Sequence, residues 1–331
     1  MTFLKKIFPL VFLGTAAASA QYTDQINSNR PGESMSAFAV GKTVAQIEAG
    51  TYGIMEEHDV LNYEAKGMGF DLTLRYGLIL EELELIADMQ YQFDQYSNAL
   101  ETFNRNDFRQ FTIGAKYLIF DPDKNYKPEI NIYSWKANRK FKWRSIIPAV
   151  SAYVGGNFLM NDNPYTFKTD RISPKFMLIT QNHFGKWVWV NNIIADKFLT
   201  DYPSIGLIST LTRGFNERWS GFLEFQGYKS DFYADGIGRI GAAHLLNSNL
   251  QIDASVSTNF KTTPSILYGG IGISWRFDAN YKDIVLFGEG DREEELKQQQ
   301  EKEKDKKAKR RKELRERRKK RLDDMETPSE D

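Results

Sequence analysis

The chain contains no cysteine and only three histidines among its 331 residues. Without cysteine there is no disulfide framework, no thiolate metal site and no thiol nucleophile. An excess of charge of either sign is also missing. Lys plus Arg and Asp plus Glu both number 44, so the whole chain is not built as a nucleic-acid binder. Beyond the first twenty residues no apolar run reaches the about 18 residues of a membrane-spanning helix. What remains is a length suited to roughly two soluble domains, or to one barrel-sized domain with appendages.

The first twenty residues carry the three parts of a secretory signal. Lys5 and Lys6 are the positive start, Ile7 to Ala17 the apolar stretch, and Ala18-Ser19-Ala20 the small-residue cleavage site. Cleavage there leaves a mature chain starting near Gln21, outside the cytoplasm. No cysteine follows the apolar stretch to carry a lipid anchor. Residues 21–42 then read as a periplasmic lead-in.

From residue 43 to 278 apolar and polar residues alternate. Phe70-Asp71-Leu72-Thr73-Leu74-Arg75-Tyr76 is one case, and Ile271-Gly272-Ile273-Ser274-Trp275-Arg276-Phe277 another. A strand sends successive side chains to opposite faces, so period two predicts strand and not helix. Such segments lie near 43–55, 65–79, 82–96, 108–120, 146–158, 171–182, 187–197, 203–213, 217–229, 234–246, 249–259 and 266–278. Each is about 10 to 15 residues, twice the usual soluble strand and suited to a tilted bilayer crossing. A secreted, aromatic-rich, cysteine-free chain of this pattern predicts an all-β fold. It is a closed antiparallel transmembrane β-barrel of about 12 strands in a Gram-negative outer membrane, with its termini in the periplasm and lipid as its solvent.

Short and long connections alternate, as such barrels require. Tight turns are expected at Phe184-Gly185-Lys186, Gly214-Phe215-Asn216-Glu217 and Leu246-Asn247-Ser248-Asn249. The connections 56–64, 97–107, 159–170 and 230–233 read as outer loops. Residues 121–145 read as a long periplasmic insertion in which Lys136, Arg139, Lys140, Lys142 and Arg144 are interleaved with Trp135 and Trp143. In the periplasm this is a solvated loop, or a contact for a protein or lipid headgroup.

Residues 279–331 are a different material. Lys297 to Arg321 holds 15 basic and 5 acidic residues, a local charge of +10, with Arg310, Arg311, Arg317 and Arg318 among them. Only Ala308 and Leu314 are apolar there. Pairs such as Glu303–Lys307 and Glu313–Arg317 support a solvated helix, and the composition equally permits a disordered tail. Anionic headgroups, peptidoglycan or an acidic protein are the partners such a tail fits; nucleic acid is absent from that compartment.

By parity Asp71, Arg75, Asp88, Gln90, Gln92, Asp94, Lys116, Glu224, Gln226, Arg239, Asp253 and Arg276 face the lumen. Glu224, Arg239, Asp253 and Arg276 lie on four successive strands, with both signs on neighbours, so pairing across strands is expected. These residues read either as a charged constriction or as a salt-bridged filling of a narrow lumen. Histidine gives no sign of chemistry. His58, His183 and His244 are followed by Asp59-Val60, Phe184-Gly185 and Leu245-Leu246, not by the His-x-Ser of a membrane phospholipase barrel. No metal spacing, phosphate loop or other cofactor motif occurs, and the reading is a protein that is not an enzyme.

Three stretches resemble a family of Gram-negative outer-membrane barrels, the transporters named for the meta-pathway of phenol degradation. The first is Asn29-Arg30-Pro31, then Gly41 and Gln46-Ile47-Glu48-Ala49-Gly50. The second is Pro174-Lys175-Phe176-Met177-Leu178, then Asn192. The third comprises Phe222-Leu223-Glu224, Gly241, Leu245 to Asp253, and Gly272 to Phe277. Asn29 stands where the family usually has Asp, and the insertion and tail are additions to its pattern. The resemblance implies transport of a small solute, hydrophobic or aromatic. The insertion and tail suggest an alternative, a non-catalytic subunit of an outer-membrane assembly or secretion complex.

Overall fold

The computed structural model describes residues 26–124, 143–159, 163–165, 171–231 and 233–277. Twelve strands form one closed antiparallel barrel. They are β1 (Ala45–His58), β2 (Tyr63–Gly77), β3 (Leu83–Asn98), β4 (Thr102–Phe120), β5 (Ala149–Phe158), β6 (Ile172–Phe184), β7 (Trp187–Asp196), β8 (Ser204–Gly214), β9 (Trp219–Ser230), β10 (Ala234–Asn247), β11 (Leu250–Asn259) and β12 (Ser265–Phe277). Each strand pairs with its sequence neighbours, and β1 closes on β12 from Ala45↔Phe277 to Glu57↔Ser265. Closure pairs the backbone groups that an open edge would leave bare in lipid.

The alternation does what period two demands. The outward face of every strand carries apolar side chains, among them Ile47, Leu85, Ile113, Ile193, Ile240 and Val256, all exposed. Trp187, Trp189, Trp219, Trp275 and Phe277 stand on this outer face toward the end where β1 begins and β12 finishes. That is the girdle position where an aromatic ring meets the membrane–water boundary.

Two expectations are corrected. Strands run from 10 to 19 residues, and β3 and β4 reach Asn98 and Thr102. The loops expected at 56–64 and 97–107 therefore shrink to 59–62 and 99–101, because polar residues there continue the ladder after the apolar pattern has ended. The second correction concerns the lead-in. Residues 26–42 do not lie outside the barrel; they fold into its lumen, bonded to the inner faces of the strands.

Of the insertion, residues 121–124 and a short 3-10 turn at Trp143–Ile146 are described. Trp135, Arg139 and Lys140 lie outside the described residues, as do Arg310, Arg311, Arg317 and Arg318 of the tail. Residues 1–20, read above as a secretory signal, lie outside them too.

Candidate functional site: an occupied lumen

Segment 26–44 makes a circuit of the inner wall. It starts at the β10–β11 turn, where the Ile26 amide donates to the Ser248 carbonyl at 2.9 Å. Arg75 of β2 donates to the Asn27 carbonyl at 2.6 Å. The Glu33 and Ser34 amides donate to the Glu224 carboxylate of β9 at 3.0 and 3.3 Å. Asn192 of β7 accepts from the Met35 amide at 2.6 Å and donates to the Met35 carbonyl at 2.9 Å. Gln181 of β6 accepts from the Ala37 amide, and Ser151 of β5 donates to the Ala37 carbonyl. Lys116 of β4 donates to the carbonyls of Ser36 and Phe38 at 2.7 and 3.0 Å. Glu84 of β3 accepts from the Val40 amide at 2.7 Å. The Thr43 amide finally donates to the Gly77 carbonyl, and β1 begins.

A chain threaded in this way without sheet or helix would leave its amides and carbonyls unpaired at real cost. The inward polar side chains supply the missing partners. They act first as a socket for the chain's own backbone.

Arg30 is the segment's central anchor. Its guanidinium pairs with Asp71 of β2, and its Nε lies 3.3 Å from Asp253 of β11. Its plane rests where a Cβ would stand at Gly50 or Gly272, facing residues of β1 and β12. The Gln251 side chain donates to the Arg30 carbonyl at 3.2 Å. The first and third stretches of the family resemblance thus meet at one guanidinium.

Below Arg30 a buried charge cluster fastens the two ends of the segment. Arg75 pairs with Glu48 and Glu84, each at 3.1 Å, and Lys116 pairs with Glu84 at 3.0 Å. All four side chains are 0–1% exposed. Each carries a further bond, so the cluster meets the condition under which buried ions are tolerated. Between the segment and the end where β1 begins lies a cavity of about 690 Å³, lined by Asn27, Asp121, Gln181, His183, Thr212 and Phe222 among others.

The strand registers place every residue assigned to the lumen by parity on the inner face. Asp88 accepts from Thr73 and Gln110, and Gln92 donates to Asp94. Gln90 lies opposite Asp71 and Gln110, and Arg276 opposite Gln46. The expected cross-strand pairing holds for Arg239 and Glu224, at 3.9 Å, but Arg239 sits closer to Glu33 of the segment, at 2.9 Å. Asp253 pairs with Arg30 of the segment. Parity reasoning missed the segment side of these bonds, and it missed Glu48, Glu84, Asn192 and Arg109. Among the described residues no group of three or more His, Asp or Glu is placed to hold a metal ion.

No curated protein matches the sequence. Among solved structures, the COG4313 outer membrane channel from Pseudomonas putida F1 aligns at 12% identity and TM-score 0.49, covering 75% of this chain and 99% of that one. The translocator domain of the autotransporter NalP from Neisseria meningitidis aligns at 10% identity and TM-score 0.45, covering 72% and 89%. A variant of the monoaromatic hydrocarbon channel TodX aligns at 7% identity and TM-score 0.37, covering 71% and 90%. One sequence family matches residues 28–277, from the anchored segment to the end of β12, and the chain therefore belongs to the family described as "Putative MetA-pathway of phenol degradation".

Proposed function

We propose that this protein is a non-enzymatic outer-membrane channel for a small aromatic or hydrophobic solute, with segment 26–44 as its constriction. The observation that carries the reading is the lumen. Its wall is charged around Arg30 and Arg75 and apolar where Ile86, Met177, Ile179, Ile194 and Ile208 pack against Ala37, its exterior is apolar, and one segment crosses it. The family membership supports the same reading. Asp71, Asp253, Glu224 and Arg239 would act by holding the constriction in place, with Asp88, Gln90, Gln92 and Arg276 completing the wall. Passage then depends on the space left beside the segment, not on a wide water-filled pore.

Single-channel conductance in a planar bilayer tests this, with the full chain and with a chain ending at Asp278. Small discrete steps in both are expected, enlarged by Arg30→Ala. A folded barrel that is silent in both forms, and silent also as Arg30→Ala, would refute the channel.

A further inference from the structure

The lumen's cations are not all matched. Arg30, Arg75, Arg105, Lys116 and Arg239 each have a carboxylate within 4 Å. Arg109 has none among the described residues. Its Nη1 donates to a neutral acceptor, Gln92 Oε1, at 3.1 Å. Its guanidinium lies 5.3 Å from the ring centroid of Tyr268, and Tyr268 meets Tyr52 edge-on at 6.2 Å. All three side chains are half-buried.

A bulge aims Arg109 inward. Between Gln90↔Gln110 and Tyr91↔Phe108 the β3–β4 register skips one residue of β4, and that residue is Arg109. A bulge costs a ladder position and turns a side chain, and such devices collect at functional places. Tyr52 stands one inward position beyond Gly50 on β1, so this cluster sits just past the Arg30 seat.

We infer that Arg109, with Tyr52 and Tyr268, is a binding station for a planar aromatic carboxylate. The inference rests on the channel reading for its role in passage, and names the class of solute. A carboxylate is the acceptor that matches the fork of a guanidinium, taking two parallel N–H bonds. The tyrosine rings offer an offset or edge-on surface to an aromatic ring attached to it. Glu33 and Glu56 lie near enough to feel the Arg109 charge, but among the described residues none of the neighbouring acids forms an ion pair with it. Glu33 is held by Arg239 at 2.9 Å, Asp94 by Arg105 at 2.8 Å, and Glu56 accepts from Tyr63 at 2.5 Å. Arg105 itself stacks on Tyr96 and Tyr165, but its Asp94 partner leaves it no free charge.

The test is equilibrium binding of benzoate to the purified full chain in detergent, with acetate, benzyl alcohol and benzylamine as comparisons. Benzoate is expected to bind saturably and more tightly than all three. Arg109→Gln is expected to weaken benzoate by about tenfold or more, the scale of losing a charged hydrogen-bonded contact. Arg109→Lys keeps the charge without the fork and should recover only part. Tyr268→Leu should weaken benzoate while leaving acetate as it was. Each variant is first checked for the heat-modifiable gel mobility of a folded barrel. Equal benzoate binding by wild type and folded Arg109→Gln overturns the inference. So does benzyl alcohol binding as tightly as benzoate, or no benzoate binding to wild type. Conductance separates the two readings. Steps without benzoate binding leave the channel and remove the station; binding without steps does the reverse.

Discussion

Gly50 of β1 and Gly272 of β12 face each other across the seam that closes the barrel, and the Arg30 guanidinium occupies the space a side chain at either would need. The seam and the segment that crosses the lumen are therefore one structural unit. Arg30 also neutralises Asp71 and Asp253, which otherwise face each other's charge with no described cation of their own.

Arg30→Ala should loosen the segment without unfolding the barrel, because the strand ladders do not pass through it. Larger conductance steps with unchanged heat-modifiable mobility are expected. Gly272→Ala should act in the same direction by expelling the guanidinium. The double variant should open the channel no further than the stronger single one, since both remove one contact. Additive effects would mean that Gly272 acts apart from Arg30.

The buried cluster of Arg75, Glu48, Glu84 and Lys116 should behave differently. Removing one member strands the others without water. Glu84→Gln leaves Lys116 and half of Arg75 without a counter-charge, a loss on the order of 3–5 kcal/mol. Its unfolding midpoint, read by gel mobility against temperature, should fall well below that of Glu57→Gln, where the side chain is exposed. Similar midpoints for the two variants would show that water reaches the cluster.

The barrel was legible in the sequence because period two is a local property. Each strand announces itself through its own residues, as in Phe70 to Tyr76. The start of β4 was not, because Asn104 to Asp107 is polar on both faces and Phe103 alone makes no alternating pattern. Beyond the bilayer nothing requires alternation, while the hydrogen-bond ladder still continues. The threaded segment was illegible for another reason. Residues 26–44 have no periodicity, and their bonds go to Asn192, Glu224 and Asp253, far away in the chain. One sign was available. Asn29-Arg30-Pro31 belongs to the family's pattern, yet a lead-in outside the barrel has no need of an arginine there. Arg109 was hidden by its bulge, since parity counted from Gln110 sends it outward.

The absence of cysteine makes the segment's position directly measurable. Ala37 is 0% exposed and wedged between Gln181 and Ser151. Ala37→Cys should resist a charged thiol reagent in the folded barrel and react on denaturation, while Leu100→Cys at the β3–β4 tip should react at once. Rapid labelling of Ala37→Cys in the folded state would mean that the segment leaves the lumen.

The exterior makes its own demand. Ile240 of β10 faces outward, 59% exposed to what is lipid in the membrane. An arginine near the bilayer midplane on the lipid face costs about 2–4 kcal/mol, and the cost fades toward the interfaces. Ile240→Arg should therefore lower the folded fraction in urea titrations from lipid vesicles, and Trp275→Arg, in the girdle, should lower it less. The lumen-facing Gln226→Arg is instead expected to leave lipid folding little changed and to alter conductance. If Ile240→Arg refolds as wild type does, the outer face of β10 is covered by something other than hydrocarbon.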